Sequence, residues 1–132
     1  MSTHATGEFT VKILPQTDER TIPLFGRMTI DKEFNGDLTG TSQGQMLSTG
    51  TAVTNSAGYV AIERVEGVLH GRRGSFVLQH SATMNKGEGT LNIQVVPDSG
   101  TDELTGISGK LIIIRAEGKH RYDLEYDLPD TE

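Results

Sequence analysis

Apolar and polar residues alternate with a period of two along most of this chain. Phe9, Val11 and Ile13 alternate with Thr10 and Lys12, and Met28, Ile30 and Phe34 with Thr29, Asp31 and Glu33. Leu91, Ile93 and Val95 are interleaved with Asn92 and Gln94. The clearest run sets Tyr122, Leu124, Tyr126 and Leu128 against Arg121, Asp123, Glu125 and Asp127. This is the pattern of strands with one dry and one wet face. No long window combines the i, i+3, i+4, i+7 spacing of an amphipathic helix with a capping signature. Turn signals punctuate the runs at Asn35-Gly36-Asp37, Asn55-Ser56-Ala57-Gly58, Gly71-Arg72-Arg73-Gly74, Asn85-Lys86-Gly87, Pro97-Asp98-Ser99-Gly100 and Glu117-Gly118-Lys119. The reading is eight strands, near 7–14, 26–35, 38–49, 58–70, 74–84, 89–97, 108–116 and 119–128. Pro15 to Pro23 reads as a long loop, and 98–107 as a loop with a short turn of helix.

Eight strands with little helix either stack as a sandwich or close as a barrel. Closure removes exposed sheet edges, and glycines inside strands, at Gly40, Gly44 and Gly67, suit the bends of a small barrel wall. The expected fold is all-β, a single eight-stranded antiparallel barrel over residues 1–132, with a β-sandwich as the alternative. Asp37-Leu38-Thr39-Gly40 returns as Glu103-Leu104-Thr105-Gly106. No longer period accompanies this echo, so it is hairpin grammar and not a repeat.

The segment from Gly58 to Thr83 carries the candidate chemistry. A two-residue turn at Arg72-Arg73, flanked by Gly71 and Gly74, sets Leu69 opposite Phe76, Gly67 opposite Leu78 and Val65 opposite His80. Tyr59, Ala61 and Glu63 continue the same mostly apolar face. Glu63 and His80 interrupt it as diagonal neighbours. A carboxylate and an imidazole aimed into a dry interior need a partner, and either a structural hydrogen bond or a ligand contact provides one. Tyr59, Glu63, Val65, Phe76, Leu78 and His80 are therefore the candidate ligand-binding residues. Glu63 and His80 are also the candidate catalytic pair. Outward apolar residues such as Val60, Ile62, Val68 and Val77 offer a third reading, burial between subunits.

Composition narrows the classes. The chain has 132 residues, one domain's worth, and no cysteine. That excludes a disulfide scaffold, a cysteine zinc site and a thiol nucleophile. Eighteen acidic against twelve basic residues leave a net charge of −6, which disfavours nucleic acid and anionic membranes as partners. The four histidines lack metal-ligand spacing, and Ser99-Gly100-Thr101 lacks the lysine and helix of a phosphate loop, so no metal or cofactor is expected. Gln79 and Gln94 read as strand-to-strand amide contacts, and Arg72-Arg73 as an exposed basic turn. The longest apolar run is Leu111-Ile112-Ile113-Ile114, and no basic stretch followed by an apolar one opens the chain, so the expectation is a soluble cytoplasmic protein.

Three segments carry a resemblance: residues 1–9, Glu63-Arg64-Val65-Glu66-Gly67 through Gly74-Ser75-Phe76-Val77-Leu78-Gln79-His80, and Val95-Val96-Pro97-Asp98-Ser99-Gly100-Thr101-Asp102-Glu103-Leu104. Across nearly its whole length the chain resembles a bacterial family of small domains of unknown function. That family is similar in fold to allene oxide cyclase, an eight-stranded barrel that binds an oxygenated fatty acid, and to dirigent proteins. The link to the cyclase itself is a Gly-x-x-x-Gly-x-x-Gly hairpin, here Gly67, Gly71 and Gly74. The resemblance implies a barrel, a central cavity and a tendency to form homo-oligomers; it does not imply cyclase activity. Together these readings lead to a barrel binding a small hydrophobic ligand, with an isomerase or cyclase and a non-catalytic oligomer as alternatives.

Overall fold

A computed structural model describes residues 2–16 and 24–129. The elements are β1 (Thr3–Gln16), β2 (Phe25–Gly36), β3 (Leu38–Gly50), β4 (Ala57–Leu69), β5 (Arg72–Asn85), β6 (Glu88–Val95), a 3-10 turn η1 (Asp102–Leu104), β7 (Ser108–Ala116) and β8 (Lys119–Asp127). Each strand pairs antiparallel with the next in sequence, and β8 returns to β1, closing the barrel. The period-two pattern sorts itself as expected. Ala5 and Phe9 of β1, Phe34 of β2, Val65 and Leu69 of β4, Phe76 and Leu78 of β5, and Tyr122 and Leu124 of β8 point inward into one core. Pro15, expected in a loop, pairs with Met28 inside β1; the rest of that loop, 17–23, lies outside the described residues. Among the described residues no helix is long and apolar enough to cross a membrane.

The two ends of the barrel differ. At one, the loop after β6 runs along β5, with Val96 N–H on the Val77 carbonyl and Thr101 N–H on that of Ser75. The loop then delivers Leu104 and Ile107 into the core, where both are fully buried. The Tyr122 hydroxyl accepts from the Leu38 N–H at 2.9 Å and donates to the Asn35 carbonyl at 2.8 Å, pinning the turn between β2 and β3 from inside. This end is sealed. The other end receives the hairpin tips Lys86-Gly87 and Glu117-Gly118. There β6 and β7 part company, because their register pairs them only at Gln94 and Lys110.

The β4–β5 turn corrects the sequence reading. It is His70-Gly71, with φ of 47° and 82°, and not Arg72-Arg73. A tight hairpin of this hand needs positive φ at both central residues. Gly71 supplies one at no cost, whereas the arginine pair would require two side-chain-bearing residues in the left-handed region. Arg72 and Arg73 instead open β5, opposite Leu69 and Val68. Val65 therefore faces Phe76, Glu63 faces Leu78 and Ala61 faces His80. Each partner slips by an even number of residues, so every side chain keeps its face.

Gly40 and Gly67 are paired Cα to Cα across β3 and β4. A Cβ on Gly40 would stand 2.2 Å from the Glu66 carbonyl oxygen and 2.7 Å from the Gly67 Cα. The two backbones meet here with no room for a side chain between them. Gly40→Ala should destabilise the fold by about 1–3 kcal/mol through overpacking, read as a lower urea midpoint at unchanged slope. An unshifted midpoint would refute the close-approach account.

Candidate functional site

Halfway along the lumen, four strands each contribute one polar side chain at an inward position. β4 supplies Glu63, β2 Lys32, β3 Ser42 and β5 His80. Glu63 is 0% exposed, yet its carboxylate is well supplied with donors. Oε1 accepts from Lys32 Nζ at 2.9 Å and from His80 Nε2 at 2.6 Å, and Oε2 accepts from Ser42 Oγ at 2.6 Å. The backbone makes room for this reach. Gly44 is the β3 partner of Glu63, and a Cβ there would lie 2.7 Å from both Cα and Cβ of Glu63. The Lys32 ammonium also sits 5.0 Å above the centroid of the Phe9 ring, a favourable site for a cation.

Burial alone would push the Glu63 carboxyl up. The hydrogen bond from His80, the charge of Lys32 and the hydrogen bonds from Ser42 and Lys32 together outweigh it and hold the group down to about 2. Glu63 is thus an anion at neutral pH and no proton donor. With Glu63 ionised, His80 Nε2 must carry the proton it shares with Oε1. That makes Nε2 the donor and leaves Nδ1 with no partner among the described residues.

Above this network lies a cavity of about 80 Å³. Lys32 and His80 form its floor, Phe9, Val11, Ile30 and Ile113 its walls, and Tyr59, Arg115 and His120 its rim. Beyond the rim the lumen widens into a space of about 460 Å³, lined by Ser48, Gly50, Ala57, Tyr59, Ala82, Leu91 and Arg115. Leu91 belongs to β6 and Arg115 to β7, the two strands that are unpaired at this level. His120 stacks on Phe9 with ring centroids 5.2 Å apart. Burial pushes the Tyr59 hydroxyl up, against the pull of Arg115 and with the help of Glu63, so it remains a protonated donor at neutral pH.

Of the sequence candidates, Tyr59 and His80 line the cavity and Glu63 lies directly beneath it. Glu63 and His80 are in contact, diagonal across β4 and β5. Val65, Phe76 and Leu78 sit deeper, fully buried in the packed core, and line neither space. Sequence reasoning missed Lys32, Ser42, Arg115 and His120. Parity alone could have found three of them: Lys32 falls between inward Ile30 and Phe34, Arg115 two after Ile113, and His120 two before Tyr122. The remaining histidines stand elsewhere. His70 Nδ1 meets the Tyr126 hydroxyl at 2.5 Å at the sealed end, and His4 pairs with Asp123 on the outer face. Gln79 and Gln94 are cross-strand partners, also outside. Among the described residues no group of three or more His, Asp or Glu forms a metal cluster.

Glu63 gives a signed pH dependence. Its folded pKa lies below the ordinary value of 4.5, so its contribution is complete above about pH 4.5 and is lost as the pH falls through about 2. At 1.36 kcal/mol per unit that contribution is about 3 kcal/mol. Glu63→Gln should cost a similar amount, about 3 kcal/mol, at neutral pH because it strands the Lys32 charge. It should also flatten the acid limb of stability between pH 4.5 and 2. Parallel acid limbs in urea titrations of the two proteins would contradict this account of the carboxylate.

Residues 5–126 match the family model described as "Protein of unknown function (DUF3224)". No curated protein matches the chain. The crystal structure of a protein with unknown function from the DUF3224 family of Shewanella oneidensis MR-1 is similar to it, with 46% sequence identity and a TM-score of 0.92. The match covers 99% of this chain and 100% of that one. A family match over most of the chain and a relative of the same barrel shape agree: this chain belongs to the DUF3224 family.

Proposed function

We propose that this protein is a small-molecule-binding barrel, which takes a ligand with an apolar body into the open half of its lumen and orients the polar end of that ligand over the Lys32–Glu63–His80 network. One observation carries the reading: a cavity with mostly apolar walls and convergent polar groups on its floor, continuous at Tyr59 and Arg115 with a wider space. That combination is the usual make-up of a ligand site. Small residues support it as well. Ser48, Gly50, Ala57 and Ala82 leave the upper lumen wide, whereas Phe34, Phe76 and Tyr122 fill the lower half. A second reading, an isomerase or cyclase, draws on the His80 tautomer, since a histidine oriented by an anion through Nε2 is equipped to take a proton at Nδ1. In that reading His80 moves the proton and Glu63 only orients it.

A panel of lipophilic acids, phenols and terpenoids should contain compounds that raise the melting midpoint, because a ligand of the native state stabilises it. Ala82→Trp, which fills the wide space, should abolish the shift while keeping the unliganded midpoint within a few degrees. Binding that survives Ala82→Trp would locate the ligand elsewhere and sink the lumen reading.

We also propose that the chain assembles with a second copy of itself through the outer face of β3 to β5. Val60 and Ile62 are 53% and 54% exposed and adjoin Leu47 across β3 and β4, above a groove of about 420 Å³ whose other borders include Gln45, Gln79 and Arg27. No carboxylate borders that groove, in a chain of net charge −6. A charge-poor apolar centre with an amide rim is interface chemistry. Val68 and Val77, expected in the same role, are half-buried. Light scattering should give a multiple of the 14.3 kDa chain mass, with Ile62→Glu returning it to the monomer; a monomeric wild type at tens of micromolar would overturn the assembly.

A further inference from the structure

The open end of the lumen carries a cation that the one lumen carboxylate does not engage. Lys32 is neutralised by Glu63, whose two oxygens already accept three hydrogen bonds. The two lumen spaces are also bordered by Arg115, His120 and His80, and by no Asp or Glu. Arg115 and His120 are cross-strand partners on β7 and β8, both at inward positions. Neither makes a hydrogen bond or ion pair with the described residues, and the contact of His120 is its stack on Phe9. Carboxylates are close in sequence, but parity sends them outward: Asp123 and Glu125 of β8 engage His4 on the outer face, and Glu8 of β1 engages Lys119 there. The mouth of the lumen is thus bordered by an exposed arginine with no ion-pair partner among the described residues, and the deep cavity by two imidazoles.

We propose that the ligand is an anion, a small carboxylic acid with an apolar body. This deepens the binding-barrel reading and rests on it. Its carboxylate lies at the rim of the deep cavity, where Arg115 offers a planar fork and His120 a ring nitrogen. Its body occupies the wider space beside Ala57, Tyr59, Ala82 and Leu91. The deep cavity, about 80 Å³, suits a carboxylate head. A carboxylate is favoured over a phosphate because the residues lining both spaces all belong to strands and no helix start borders either one, and phosphate sites draw on the free N–H groups of turns and helix starts.

The test uses three probes of one shape: 2-naphthoate, 2-naphthalenemethanol and 2-naphthylmethylamine. Each is titrated calorimetrically into the wild-type chain and into Arg115→Gln and His120→Gln, with melting midpoints checked for fold. The acid should bind at least about tenfold more tightly than the alcohol, and the amine most weakly of the three. Arg115→Gln should weaken the acid by about tenfold and leave the alcohol unchanged, with a smaller loss for His120→Gln. An alcohol that binds as tightly as the acid, or an acid indifferent to Arg115→Gln, would overturn the anion proposal and leave the binding barrel standing. Failure of all three probes, with no midpoint shift from the wider panel, would remove the binding barrel itself.

Discussion

The carboxylate of Glu63 is the constraint on which the middle of this barrel depends. An anion with no solvent contact is tolerated only when its lone pairs are taken, and here three donors from three other strands take them. Each donor must arrive at the right height, so the network ties the register of β2, β3 and β5 to that of β4. It also dictates the glycine at position 44, since any larger residue opposite Glu63 would collide with its Cα and Cβ. Yet a buried ion pair gains little over well-packed apolar side chains of the same volume. Folding alone does not ask for charge at this point in the lumen. Its position under a cavity is what the proposed ligand site draws on.

The asymmetry of the two halves follows from side-chain size and from one loose seam. Below the network, aromatic and branched residues fill the cylinder, and Leu104 and Ile107 close it from the loop. Above it, Ser48, Gly50, Ala57, Ala61 and Ala82 stand among Met46, Tyr59 and Met84 on β3 to β5, and β6 diverges from β7 beyond Gln94 and Lys110. An eight-stranded barrel is barely wide enough to enclose one small ligand. Small inward residues and a parted wall are the two ways to gain room without adding a strand, and this chain uses both.

Much of this was legible in the sequence because a strand has a period of two. The faces of Glu63 and His80 survive the misplaced turn, since the slip between Arg72-Arg73 and His70-Gly71 is even. The pair is diagonal in either register, with Glu63 two residues from the partner of His80 on one side or the other. The turn itself was misread because Gly71 and Gly74 frame the arginines symmetrically, and nothing local announces that a histidine will adopt a left-handed conformation. Lys32, Arg115 and His120 stood at inward parity and went unread because a lysine or arginine within a strand is ordinarily a solvated one. Ser42 is a different case. A serine among the threonines and glutamines of β3 has no periodic signature, and only the three-dimensional approach of Glu63 gives it a role. The parting of β6 from β7 is likewise non-local, set by how far the loop at 96–107 carries the chain before β7 begins.

The same parity that made the fold readable also separates the charges. On β8 the acids Asp123, Glu125 and Asp127 alternate with Tyr122, Leu124 and Tyr126, so they can only face water; His120 falls in the inward set and can only face the lumen. On β7 the inward set runs Leu111, Ile113, Arg115. Among the described residues, Glu63 is thus the one carboxylate inside the barrel, and Lys32 and Arg115 at inward positions outnumber it. Arg115 is exposed at the open end of the barrel, so its charge stands at the mouth and not in the packed core. The barrel wall thus separates the acids of its outer face from Lys32, His80, Arg115 and His120 at inward positions, and the anion proposal rests on that separation and not on the net charge.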